Sequence, residues 1–178
     1  KLSELASGDE PNVPSFTTTG TFVYDDTNET GQLGRYRLER ILGEGAFGRV
    51  FLAYDEELQR QVAIKFPTED RFQRPEDAEQ YLEEARTVAS LNHPNIVPVH
   101  DVGRTEDGSV YVVSKFIEGQ TLDDRIKEDR PNHEATAQLL ATIAQALDHA
   151  HQQRLIHRDI KPANILLEGS EPTPYVAD

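Results

Sequence analysis

The chain has 178 residues, 37% hydrophobic and 28% charged, which allows a sizeable core in one domain with or without a tail. A formal charge of −14 argues against nucleic acid or an anionic membrane as partner, because phosphate would be repelled over most of the surface. Cysteine is absent, which excludes disulfides, thiolate metal sites and a Cys nucleophile, and no apolar run approaches the roughly 20 residues of a membrane helix.

Residues 1–34 are rich in Ser, Thr, Gly, Pro and acidic side chains and carry no hydrophobic period, so a flexible acidic leader is expected. Order begins near Arg35. Tyr36 to Leu42 alternates apolar and polar like a half-buried strand, and Val50 to Tyr54 reads as a second strand. Between them lies Gly43-Glu44-Gly45-Ala46-Phe47-Gly48, a glycine-rich tip whose backbone is open to phosphate oxygens. Taken alone, that spacing also fits dinucleotide-binding folds and ordinary hairpins. A dinucleotide fingerprint opens a helix, however, and here a strand follows.

Gln61 to Phe66 is a third strand, in which Lys65, read by itself, is a solvated strand lysine. From Pro75 to Leu91 the apolar residues Ala78, Tyr81, Leu82, Ala85, Val88 and Ala89 recur at helical spacing. Glu83 falls opposite that face, and Glu84 on its flank beside Tyr81 and Val88. His93-Pro94 ends the helix, and Ile96–Val102 and Val110–Phe116 read as two more strands. The expectation is a five-stranded antiparallel sheet with one helix. Thr121 is a plausible N-cap for a short helix with Asp124 at its third position. A long helix follows from His133 to Gln152, with Leu139, Leu140, Ile143, Ala144, Leu147 and Ala150 on one face. His149 and His151, two apart, diverge too far to share a metal.

That helix delivers the chain to His157-Arg158-Asp159-Ile160-Lys161-Pro162-Ala163-Asn164, which precedes the apolar run Ile165-Leu166-Leu167. A carboxylate, an ammonium and an amide thus sit in one loop between packed elements, where a scaffold fixes reactive side chains. The plain alternative is a polar turn in which His157 and Asp159 cap backbone groups.

In this order the glycine-rich tip with Val50, the run Val62-Ala63-Ile64-Lys65, the loop from His157 to Asn164, and Asp178 resemble the motifs of eukaryotic-type (Hanks-type) serine/threonine protein kinases of a bacterial kind. The resemblance runs from about residue 35 to the end. It implies an α+β protein-kinase-like fold. The N-lobe and hinge would fill 35–117, and the first helices and catalytic loop of an incomplete helical C-lobe 118–178, ending at the Asp of the D-F-G triplet. It implies ATP-dependent transfer of the γ-phosphate to Ser or Thr hydroxyls of a protein substrate. Asp159 would orient and deprotonate the hydroxyl, Lys161 would neutralise charge on the transferring group, and Asn164 and Asp178 would hold Mg²⁺. Lys65 would bind the α- and β-phosphates and pair with Glu84, preferred over Glu83 by its place on the helix and by the family's interval to the His-Pro pair. ATP would be lined by Leu42, Gly43, Gly45, Phe47, Gly48, Val50, Ala63 and Lys65, with Ser114 gating the adenine pocket and Lys115 and Ile117 in the hinge.

At Lys115 the family usually carries an acid, a departure of little expected effect because the hinge acts through main-chain groups. Arg158 suggests pairing with a phosphorylated activation loop. Two other classes share much of this pattern: a pseudokinase that binds nucleotide or partners without chemistry, and a small-molecule phosphotransferase of related fold. The chain reads as a segment of a longer protein, its kinase part cytoplasmic and any membrane anchor outside it. The helix from His133 to Gln152 would lack partner surface, so the isolated segment is expected to be unstable or aggregation-prone, and inactive.

Overall fold

The computed structural model describes residues 23–25, 30–46, 48–68, 71–72, 74–170 and 172–177. Hairpins build a seven-stranded antiparallel sheet in the order β1 (Val23–Asp25), β2 (Thr30–Leu33), β3 (Tyr36–Gly45), β4 (Gly48–Asp55), β5 (Arg60–Phe66), β7 (Val110–Lys115) and β6 (Val99–Arg104). Five of these are the expected strands. The other two, β1 and β2, arise within the stretch expected to be an irregular leader. Gly34, at φ +55°, turns β2 into β3, and Leu33 and Tyr36 on either side are each only 3% exposed. Pairing with Tyr36–Leu38 and one buried leucine sustain β2, with no period of its own to announce it.

Strand alternation sends Leu38, Phe51, Ala53, Val62, Ile64 and Val113 into one core. Helix α1 (Pro75–Ala89) packs Ala78 and Leu82 on Val110, flanked by Phe72, Tyr81 and Val102. Pro75 stands where a missing N–H costs nothing, and the Asp77 carboxylate accepts the Arg74 N–H at 3.0 Å.

The rest of the chain forms β8 (Gly119–Thr121), α2 (Leu122–Glu128), α3 (His133–Gln152), a 3-10 turn at Pro162–Asn164, β9 (Ile165–Glu168) and β10 (Thr173–Val176). Thr121 Oγ1 accepts the Asp124 N–H at 3.1 Å, the cap its position announces. The three short strands pair in the order β10-β9-β8. On α3 the buried face is Ile143, Ala146 and Ala150, packed with Leu122, Ile165, Leu167, Val176 and Ile96. Ala144, expected on that face, is exposed, and Leu140 is 58% exposed. The core-facing stripe is rotated toward β9 and β10, which leaves the Leu140 and Ala144 flank bare. Ile156 (63%) and Ile160 (46%) are bare as well. No helix among the described residues is long and apolar enough to cross a membrane.

The two parts meet at the crossing Phe116–Glu118 and at a backbone seam. Val176 donates its N–H to Asn95 O at 2.8 Å and accepts the Val97 N–H at 2.9 Å, and Asn95 Nδ2 reaches Pro174 O at 2.9 Å. Beside the crossing, β8 lies so close to β9 that a Cβ on Gly119 would sit 1.8 Å from Leu167 O. Gly119→Ala should therefore cost about 1–3 kcal/mol of stability in a urea titration followed by tyrosine fluorescence. Gly43→Ala, whose Cβ meets no atom within 4 Å, should change it by less than about 0.5 kcal/mol.

Candidate functional site

Asp159 lies at the centre of a closed set of hydrogen bonds. Lys161 Nζ reaches its Oδ2 at 2.7 Å, and Asn164 Nδ2 donates both to the same oxygen at 3.0 Å and to the Asp159 carbonyl at 2.9 Å. The 3-10 turn makes this possible: it folds Asn164 back over the loop, with its N–H on Lys161 O at 2.9 Å. Because Nδ2 is committed to Asp159, the Asn164 Oδ1 remains as acceptor, the hard oxygen a magnesium ion takes.

His157 organises the loop from the other side. Its Nδ1 accepts the Asp159 N–H at 3.3 Å, which leaves Nε2–H to donate to Ala177 O at 2.9 Å. The Ala177 N–H in turn donates to Asn164 O at 2.9 Å. Arg158 between them is left-handed at φ +67°, a conformation that costs a non-glycine residue about 1 kcal/mol or more and persists only where the surroundings impose it.

The sheet register gathers the expected nucleotide residues. Ala63 is paired with Leu52 and Ser114, and Lys65 with Val50 and Val112, so Val50, Ala63, Lys65 and Ser114 share the face opposite Val62 and Ile64. Gly43 pairs with Val50 beside a bulge that contains Leu42. The three tip glycines differ in what demands them. Gly48 has φ +124° and would place a Cβ 2.1 Å from Phe66 O, whereas Cβ atoms on Gly43 and Gly45 would meet nothing within 4 Å. Gly48 shapes the loop, and the other two leave its outer surface free of side chains. Phe47 and Asp178 lie outside the described residues.

Glu84 is placed differently from expectation. Its carboxylate lies 3.9 Å from Arg158 Nη1, and a Lys65–Glu84 bridge is not among the ion pairs of the described residues. Both partners of the observed pair are exposed, Glu84 at 50% and Arg158 at 75%. The Lys115 N–H donates to Pro98 O at 2.9 Å, while its side chain reaches Glu168 and Tyr175. Buried Ile165 and Leu167 face the core beneath, so Leu166 shares the opposite face of β9 with Glu168, toward the hinge.

Comparison with known proteins identifies the class. The profile of the family described as Protein kinase domain matches residues 36–178, and the chain belongs to that family. Its relatives include serine/threonine-protein kinase PrkC of Bacillus subtilis, 41% identical over 136 residues, which cover 76% of this chain and 21% of the relative. PknB of Mycobacterium leprae is 39% identical over 140 residues, covering 76% and 22%. The PknI kinase domain of Mycobacterium tuberculosis, in a double-mutant crystal structure, superposes with a TM-score of 0.73 at 27% identity, covering 82% of this chain and 58% of that one. The chain thus spans about a fifth of the length of these curated relatives.

Lys161 and Asn164 bear on the charge of Asp159. The Lys161 hydrogen bond, joined by that from Asn164, outweighs partial desolvation and holds the carboxyl below the ordinary aspartate value of 3.8. A depressed folded-state pKa means that this contribution to stability is complete above 3.8 and is lost only as pH falls through the lower folded value. A carbon-detected NMR titration should place the Asp159 midpoint below 3.8, and Lys161→Met should move it upward toward that value.

Proposed function

We propose that the protein is an ATP-dependent serine/threonine protein kinase. The observation that carries the reading is the double hold on Asp159 Oδ2 by Lys161 and Asn164, with Asn164 Oδ1 left over for a cation. Asp159, Lys161 and Asn164 act on the transferring group, Lys65 on the ATP phosphates, and Asp178 completes the metal site with Asn164. Mg²⁺ supplies charge neutralisation on the phosphates.

In the proposed reaction the substrate hydroxyl oxygen bonds to the γ-phosphorus as the bridge to the β-phosphate breaks, and the hydroxyl proton passes to Asp159. A carboxylate of lowered pKa is a weak base, so its main contribution is to orient the hydroxyl, and it takes the proton late. Lys161, already on Asp159, is near enough to offset charge on the phosphoryl oxygens. The shared sheet face of Val50, Ala63, Lys65 and Ser114 supports an adenine and phosphate site under the glycine-rich tip. Pairing of Lys65 with Glu84 belongs to the active state and requires Glu84 to leave Arg158.

The test is transfer of labelled γ-phosphate to a generic basic Ser/Thr protein by the full-length protein. Asp159→Asn should lower kcat by about 10²–10⁴-fold while Mg-ATP still binds. Binding without transfer in the wild type would establish a pseudokinase instead, and transfer to small hydroxyl compounds alone a small-molecule phosphotransferase.

A further inference from the structure

Lys115 stands where the chain leaves the large sheet, one residue before the crossing at Phe116–Glu118. Its ammonium turns back onto the β9–β10 hairpin. Nζ lies 2.9 Å from Glu168 Oε1, 3.0 Å from Oε2 and 3.2 Å from the Tyr175 hydroxyl, and 4.6 Å from the Tyr175 ring centroid. The Tyr175 hydroxyl donates to Glu168 Oε2 at 2.8 Å and closes a triangle. All three side chains are partly buried, with Lys115 at 35% and Glu168 at 31% exposure, so the contacts are less screened than those of an open surface pair.

Two of the three corners belong to the far side of the crossing. Glu168 ends β9 and Tyr175 lies in β10. That hairpin is itself anchored, by the seam of Val176 with Asn95 and Val97, and by Gly169 N–H on Glu118 O at 3.4 Å. The triangle therefore bridges a fixed hairpin to the one short segment that connects the lobes. The Lys115 N–H is spent on Pro98, so the orientation of this peptide is held from both its backbone and its side chain. An acidic residue here would face Glu168 and be repelled. Lys115 is thus matched to Glu168, and its basic character has a structural counterpart.

We propose that the Lys115–Glu168–Tyr175 triangle is a latch that fixes the hinge against the β9–β10 hairpin, which makes Lys115 and Glu168 positioning residues for the adenine-binding backbone groups of Lys115 and Ile117. Burial alone would lower the Lys115 pKa, but its hydrogen bonds to Glu168 and Tyr175 reverse this and raise it. Glu168 is lowered by the same bond, so the latch stays charged across neutral pH. The inference concerns the ATP site proposed above and rests on that reading for its effect on nucleotide, but not for its effect on the hinge.

The experiment compares full-length wild type with Lys115→Met, Glu168→Gln and the exchanged pair Lys115→Glu with Glu168→Lys. Two quantities are read: amide hydrogen exchange at Phe116–Glu118 without nucleotide, and Kd and KM for Mg-ATP beside kcat. Each single variant should exchange faster at the crossing and raise Kd and KM by about three- to tenfold, the scale of a partly screened charged hydrogen bond, with the effect on KM rather than kcat. The exchanged pair should restore both readouts toward wild type, which a merely bulky packing role would not. Unchanged exchange in both single variants, or an exchanged pair as impaired as they are, would overturn the latch. A wild type that binds no Mg-ATP would overturn the proposed kinase function, while the hydrogen-exchange comparison would still decide the latch.

Discussion

One extended residue, Val176, holds the two halves of the site in register. Its backbone joins Asn95 and Val97 on one side, and its side chain, 6% exposed, is packed with Ile143, Ala146 and Ile165 on the other. The next residue, Ala177, is gripped by His157 through its carbonyl and by Asn164 through its N–H. The loop from His157 to Asn164 is thereby tied, through Val176 and Ala177, to the connection between α1 and β6. Backbone bonds of this kind leave little freedom to slide, because a one-residue shift would turn Val176 out of the core.

Within that frame, different forces set different parts of the site. The sheet face that carries Val50, Ala63, Lys65 and Ser114 follows from strand alternation and from the burial of Val62 and Ile64 on the reverse side. The loop from His157 to Asn164 has almost no apolar support of its own, since Ile156 and Ile160 are exposed, and it is shaped instead by polar side chains bonding its backbone. That is why the left-handed Arg158 can persist there: His157 and Asn164 hold the N–H and the carbonyl of Asp159, the residue that follows it.

What the sequence disclosed was local. The glycine tip, the strands around it, the extent of α1 and α3, the Thr121 cap and the polar loop all announce themselves through period, punctuation or residue type within a few positions. Contacts between distant segments were not disclosed. β8 is three residues whose stability comes from pairing with β9, β2 borrows its order from β3, and Ala146 displaced Ala144 because only the partner strands decide which flank of α3 is covered. Lys115 shows the limit most clearly. As a departure from the usual acid it was expected to matter little, yet its partners Glu168 and Tyr175 lie 53 and 60 positions away.

Glu84 illustrates a constraint that neither sequence nor register could set. An exposed carboxylate 3.9 Å from an exposed guanidinium gains only about 0–1 kcal/mol, so the observed pair with Arg158 holds α1 weakly. The burial of Ala78 and Leu82 fixes the body of the helix, and the face that bears Glu84 is left to be decided by whichever cation is presented to it. A phosphate group brings more charge and more acceptors than the Glu84 carboxylate and would be the stronger partner for Arg158. An anion that captured Arg158 would release Glu84 at little cost, and in the proposed active state the carboxylate then has Lys65 as its partner. The placement of Arg158, strained in backbone and loosely held in side chain, is what makes that exchange inexpensive.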